Sequence, residues 1–363
     1  MKFKIVRTPF LEGLKSVQNI VAGKGSLPIL QNVLLEAKGK ELVLTTTDLD
    51  ISIKAVCPCE VEMAGSSTIP VKLLFTAISK VAEGEIEVEV DAKDRATIHA
   101  GNAKFTFAGL PESDFPKLPK DEHAYSYTIQ QATFKDMLRK VAYAASQDDT
   151  RRTLKGVLLS FKDQQLKMVA TDGRRLALVE QEVEFPQDAE KDIILPAKTV
   201  TELQRSLVGE SPISLMVQQS QICFKVDNLM IYSKLIDEIY PNYQQVIPAD
   251  TKEHIAIDRQ LLLDALDRAS VLTAGASSVK LIFSDGKLTV SSAASDIGEA
   301  KDEVPIKYAG EKIETIFNPT YMMECLKAID DDEVTINITD GHLPAVIKCS
   351  IPFIYVLMPL RIG

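Results

Sequence analysis

Two aspartates recur in one setting. Asp48 lies near the end of ELVLTTTDLD (41–50) and Asp172 lies near the end of QLKMVATDGR (165–174). A carboxylate of this kind could act as a general acid or base, and an enzyme could use Asp172 together with Arg175 in a cleft. The setting favours a turn instead. Each aspartate follows an alternating apolar run, and Gly173 follows Asp172, so the carboxylate is expected to bond its own backbone where a hairpin strand ends. The other reactive residue types are no better arranged. His99, His123, His254 and His342 are scattered and form no HExxH. Cys57-Pro58-Cys59 has one intervening residue and no second pair, which does not suit structural zinc. TTTDLDIS lacks the further oxygen ligands and the glycine of a calcium loop. No GxxxxGK[ST] occurs and no GxGxxG follows a strand, so no phosphate-cradling loop is expected. The sequence thus points to no catalytic residue, no metal and no cofactor.

The same hairpin is written three times, the third time in degraded form as KLTVSSAASD (287–296). About 20 residues after each copy, a strand meets a proline and then a helix: TIPVKLLFTAI, ILPAKTVTELQ and FNPTYMMECLK. The prolines are Pro70, Pro196 and Pro319, and a third marker, Phe115-Pro116, returns as Tyr240-Pro241. One period shared by several markers in a chain of 363 residues argues for three copies of one domain. The expected boundaries are 1–120, 121–247 and 248–363, with Pro-rich polar linkers at 111–124 and 238–254. Each copy reads as a strand, an amphipathic helix, a strand pair, a second helix after the proline, and further alternating strands such as EIEVEV and VTINIT. The first helices are expected from Phe10 to about Val21, from Thr133 to Ser146 and from Arg259 to Leu272, with Thr133 and Asp258 as N-caps. The fold class is α+β: in each copy, two helices cover antiparallel sheets.

Composition fits an ordinary globular protein: 45% of residues are apolar and 25% charged. No apolar run reaches the ~18 residues of a membrane span. The first residues read as strand then helix rather than as a secretory leader. Five cysteines, an odd number, suggest reduced thiols in a cytoplasm. The net charge of -10 alone argues against a nucleic-acid partner. Its distribution argues the other way, because the six expected helices together carry +4 and the remainder -14. A protein that repels polyanions everywhere except along its helices could hold one there through backbone charge.

Several unrelated segments, in order, resemble the bacterial DNA polymerase III beta subunit family, the beta sliding clamps. They are LPILQNVLLEA (27–37), TDLDISI (47–53), FAGLPESDFPKLP (107–119), VATDGRRLAL (169–178), SKLIDEIYPNYQQVIP (233–248) and YVLMPLR (355–361). The resemblance covers the whole length. It implies three DNA-clamp domains forming half of a six-domain ring, a homodimer whose twelve helices line a hole. Helices about 10 Å apart would set a ring of axes roughly 38 Å across, leaving roughly 28 Å for a duplex and its water. The implied partners are double-stranded DNA, held without sequence preference, a clamp loader, replicative and other polymerases, and repair proteins that offer short hydrophobic motifs. The setting would be the bacterial cytoplasm, with no membrane partner.

Residues carried over for DNA are Lys24, Lys72, Arg151, Arg152 and Lys198. Those carried over for a peptide cleft are Leu154, Thr171, Gly173, Arg174, Arg175, Leu176, Pro241, Val246, Asn318, Tyr321, Val356, Met358, Pro359, Leu360 and Arg361. An apolar chain end is unusual and suggests a tail that is bound down. The last core strand accounts for 353–357, but less well for Met358-Pro359-Leu360, because proline ends a strand. The subunit contact is expected between an edge strand holding Lys104, Phe105 and Phe107 and a surface holding Val271, Leu272, Glu299, Asp302 and Glu303. The alternative is a protein-binding scaffold of the same fold that is never loaded on DNA.

Overall fold

Antiparallel hairpins build the molecule. The computed structural model describes residues 1–21, 27–118, 125–271, 278–294 and 298–360. Among these the α-helices are α1 (Arg7–Val17), α2 (Val71–Lys80), α3 (Gln131–Val141), α4 (Ala197–Ser206), α5 (Arg259–Ser270) and α6 (Pro319–Ala328). None of them is long and apolar enough to cross a membrane.

The chain forms two compact units, Met1–Ala132 with Thr201–Leu235, and Thr133–Val200 with Ile236–Gly363. The first holds a five-stranded sheet, in the order Glu60–Met63, Lys2–Val6, Glu85–Val90, Arg95–Ala100, Ala103–Ala108. It also holds an eight-stranded sheet in which Ile51–Pro58 pairs with Leu229–Lys234, Ile53 facing Ile231. The second unit has an eight-stranded sheet in which Arg175–Glu182 pairs with Phe353–Leu357, Ala177 facing Tyr355. Its other sheet has four strands and runs Gly298–Pro305, Lys287–Ala294, Val279–Ser284, Ile313–Phe317. The middle repeat expected at 121–247 therefore supplies strands to both eight-stranded sheets. A strand edge left open presents unpaired N–H and C=O groups, and these ladders close such edges. That is why the packing parts within the middle repeat.

The hairpin copies match atom by atom. In the first, Asp48 Oδ1 accepts from Asp50 N–H (3.0 Å) and Ile51 N–H (2.8 Å), and Thr47 Oγ1 accepts from Leu49 N–H (3.0 Å). In the second, Asp172 Oδ1 accepts from Arg174 N–H (2.8 Å) and Arg175 N–H (3.1 Å), and Thr171 Oγ1 accepts from Gly173 N–H (3.1 Å). The residue after each aspartate is left-handed, Leu49 at φ 79° and Gly173 at φ 85°. The third copy has Ala294 at the aspartate position, and its Asp296, two residues on, lies outside the described residues. A buried hydroxyl in the same hairpin position binds the end of the covering helix. Thr46 Oγ1 donates to Val17 O at 2.6 Å in copy one, and Ser292 Oγ donates to Ala269 O at 2.6 Å in copy three. The middle copy has Ala170 at this position.

The helices bury apolar stripes: Phe10, Leu14 and Val17 on α1, and Leu262, Ala265, Leu266 and Ala269 on α5. Gly13 is required on α1, because a Cβ there would collide with Cys57 Sγ and stand 2.9 Å from Leu44 Cδ1. Two helix starts differ from the sequence reading. α1 begins at Arg7, three residues before Phe10, because Glu83 caps it from a distance, accepting from Thr8 N–H at 3.2 Å. Pro9 is tolerated in that first turn, where its missing N–H has no helical partner to lose. α3 begins at Gln131, so Thr133 is not its N-cap. Gln131 Oε1 accepts from Gly209 N–H at 2.8 Å, which anchors the start. Asp258 does cap α5, its Oδ1 accepting from Leu261 N–H at 2.8 Å.

Candidate functional site

The second unit gathers most of the expected cleft residues around the 171–175 turn. Asp172 is fully committed there: one carboxylate oxygen serves the turn and the other faces Arg175 Nε at 3.1 Å. It has no free oxygen positioned as a base, which removes the reading of Asp172 and Arg175 as catalytic. Among the described residues no group of three or more His, Cys, Asp or Glu side chains could hold a metal.

Arg175 is the hub, only 7% exposed. Beyond Asp172, its Nη1 pairs with Glu324 on α6, and its Nη2 donates to Tyr143 O at 2.5 Å. Its guanidinium carbon lies 4.0 Å from the centre of the Tyr321 ring and 5.5 Å from that of Tyr143. Burial works against the positive charge, and the Glu324 pair overrides it, so the guanidinium pKa rises above its ordinary value. Burial pushes the Tyr143 and Tyr355 phenols well above their usual range, so both stay neutral. Tyr355 hydroxyl donates to Tyr321 O at 2.8 Å, securing the start of α6 from below. Asn318 caps that helix through Thr320 N–H at 2.9 Å.

The tail crosses this turn. Leu176 faces Val356 across the ladder, and both are buried in a cluster with Leu158, Val169, Leu178 and Ile194, against which Tyr240, Tyr243 and Ile247 pack. Past the strand, Met358 N–H donates to Arg174 O at 3.0 Å and Leu360 N–H donates to Ile316 O at 2.8 Å. The tail backbone is tied down, yet Met358 is 42% and Leu360 38% exposed. Phe353, Tyr355, Val356 and Leu357 are core, whereas Met358 and Leu360 offer apolar side chains to solvent.

Two cavities adjoin these residues. One, of about 480 Å³, is lined by Leu158, Ile194, Tyr240 and Pro241 together with the polar Lys162, Lys167 and Asp192. The other, of about 670 Å³, is lined by Ile316, Gly341, His342, Pro359 and Leu360. Pro241 lines the first cavity, and Pro359 and Leu360 line the second. Val246 is 49% exposed on a 3-10 turn (Tyr243–Val246). Leu154 is half-buried, its carbonyl accepting from Ser146 N–H at 2.8 Å. Arg361 lies outside the described residues. Sequence reading missed Glu324, Tyr143, Ile316 and His342. Glu324 alone left a signal, standing one helical turn after Tyr321.

The residues expected to contact DNA are described in part. Lys72 and Lys198 are exposed and each is the second residue of its helix. A cation there opposes the helix dipole, so helix formation does not explain its presence. Arg152 is exposed, whereas Arg151 gives one nitrogen to Asp172 O at 3.0 Å. Lys24 lies outside the described residues. Several other helix cations are engaged within the chain, by carboxylates or by backbone carbonyls. Arg139 and Lys140 pair with Asp136 and Asp330, and Arg268 pairs with Asp302 at 2.6 Å. Arg259 is taken up by the carbonyls of Asp331 and Leu326. The helix charge summed from sequence thus overstates what a polyanion could meet.

The expected subunit-contact strands, Ala103–Ala108 and Gly298–Pro305, each terminate their sheet. Phe105 and Phe107 stack along the first edge, ring centres 6.4 Å apart, and Lys104 is exposed. Val271 is 74% exposed, and Leu272 lies outside the described residues. On the acidic edge, Glu303 is held below its usual pKa by Lys287 and Lys301, and Asp302 by pairing is committed to Arg268, leaving Glu299 with no ion pair among the described residues.

The comparisons agree along the whole chain. Residues 1–119 match the N-terminal domain of the DNA polymerase III beta subunit, 128–242 its central domain and 244–361 its C-terminal domain. The chain is 32% identical over 363 residues to the beta sliding clamp of Chlamydia muridarum, covering 100% of this chain and 99% of that relative. Its fold superposes on the crystal structure of the Pseudomonas aeruginosa DNA polymerase sliding clamp with a TM-score of 0.96 at 29% identity, covering 100% of both chains. A sliding clamp from Bartonella birtlesii bound to griselimycin gives a TM-score of 0.95 at 30% identity, again covering 100% of both. With three domain matches and full-length relatives above 30% identity, the chain belongs to the DNA polymerase III beta subunit family, the beta sliding clamps.

Proposed function

We propose that two copies of this chain close head to tail into a ring around duplex DNA, acting as a non-catalytic processivity factor that tethers a replicative polymerase. The observation that carries this is the full-length superposition on sliding clamps, with no part of either chain left over. The two unpaired sheet edges support a closing contact: Ala103–Ala108 of one copy would meet Gly298–Pro305 of the other, with Phe105, Phe107 and Val271 covered. Lys72, Arg152 and Lys198 would touch phosphates, with Lys24 and Arg151 as further candidates. Phosphate contacts position a protein without reading sequence, so the ring is free to slide.

The tail and the 171–175 turn would form the docking place for short peptides of loader, polymerase and repair proteins carrying leucine and phenylalanine anchors. Exposed Met358 and Leu360 on an immobilised backbone suit such a role, because methionine and leucine adapt to varied apolar partners without a new ordering cost. The solution mass tests the ring: about twice the 40.0 kDa of one chain, with a central opening in electron micrographs, is expected. A monomer, or a dimer without an opening, would rule it out.

A further inference from the structure

Tyr321 is a cleft wall that rests on something. Its ring lies against the Arg175 guanidinium at 4.0 Å, and that guanidinium is held on its other sides by Asp172, Glu324 and Tyr143 O. Tyr355 and Cys325 also face the arginine and stay neutral, because burial raises both above their ordinary pKa. Asp172 belongs to the same turn as Arg175, so it ties the arginine only to its own hairpin. Glu324 sits on α6 with Tyr321, three residues on, and α6 therefore grips the guanidinium with a ring and a carboxylate at once. Without Glu324, the arginine keeps its Asp172 partner but loses the charge that draws it beneath Tyr321.

The Glu324 side chain is 39% exposed, whereas Arg175 is 7% exposed. Removing Glu324 leaves the buried guanidinium its Asp172 partner at 3.1 Å, so the charge is not left unpaired and overall stability is a poor explanation for the Glu324 contact. We propose that Glu324 is a positioning residue for the peptide cleft: its pairing with Arg175 fixes the guanidinium as the shelf on which Tyr321 lies. This inference rests on the cleft reading given above.

The chain contains no tryptophan, so Tyr321→Trp in the full-length protein introduces a single reporter on the shelf. Acrylamide quenching and emission anisotropy are then read with Glu324 intact, with Glu324→Gln and with Glu324→Ala. Glu324→Ala is expected to raise quenching and lower anisotropy, with Glu324→Gln intermediate and the melting temperature nearly unchanged. Independently, a fluorescein-labelled peptide with leucine and phenylalanine anchors is titrated. Glu324→Ala should weaken it about five- to tenfold when Tyr321 is present, and less than about twofold in a Tyr321→Ala background, because residues acting as a unit are not additive. Unchanged tryptophan signals, or losses for Glu324→Ala and Tyr321→Ala that multiply in full, would overturn the assignment. If Met358→Ala with Leu360→Ala binds the peptide as tightly as the parent, the cleft reading itself falls and the role of Glu324 with it, whatever the tryptophan reports.

Discussion

Replacing Met358 and Leu360 by alanine separates a docking tail from a core strand. Covering a whole methionine or leucine side chain is worth about 2.5 kcal/mol. A peptide can cover only the exposed portions, 42% and 38%. That makes about 1 kcal/mol each, or about 2 kcal/mol together, equivalent to about thirtyfold in Kd. Folding should barely respond, because the backbone bonds from Met358 N–H to Arg174 O and from Leu360 N–H to Ile316 O survive the change. Fluorescence anisotropy of a labelled anchor peptide measures the first effect, and thermal melting with sedimentation measures the second. A Kd within about twofold of the parent would refute the docking role. So would a melting temperature lowered as far as a buried Leu→Ala change lowers it, since the tail would then be core.

Three further outcomes are expected. Gly13→Val should destabilise the first unit by about 2 kcal/mol, read from the denaturation midpoint, because the new atoms meet Cys57 and Leu44 in a packed core. Glu202→Gln should stabilise near pH 8. Burial raises the Glu202 pKa above the ordinary 4.5, so its ionised form costs stability above the folded pKa. That cost disappears as pH falls, so the gain in melting temperature should shrink toward pH 4.5, and a gain independent of pH would count against the buried charge. Lys72→Glu with Lys198→Glu should slow loading onto DNA with little change in melting temperature. Exposed side chains contribute little to folding, whereas each lost phosphate contact flattens the salt dependence of binding by about one unit of slope.

Much of the fold was legible because the repeat was. The Thr47–Asp48 and Thr171–Asp172 turns were readable as turns, and their identical hydrogen bonds explain why the pattern survives in both copies. Asp258 was readable as a cap because its bond to Leu261 is local. The starts of α1 and α3 were not, since Glu83 and Gly209 reach them from 75 and 78 residues away. The same limit hid the hub. Arg175 was assigned to the cleft from its motif, but its partner Glu324 lies 149 residues on and Tyr143 lies 32 residues before. Charge counting also reached only so far. Lys140 counts as a helix cation, yet it is 4% exposed and bound to Asp136 and Asp330.

The central claim is topological, and retention on DNA tests it most directly. The protein is loaded onto a nicked circular plasmid by its cognate loader with ATP, freed of loader, and passed through a sizing column in high salt before and after a restriction enzyme cuts the circle. A closed ring that grips phosphate weakly stays on the circle and is lost once the DNA has ends. Equal loss from circular and linear DNA would contradict the ring, and equal retention on both would mean that binding, not encirclement, holds the protein there.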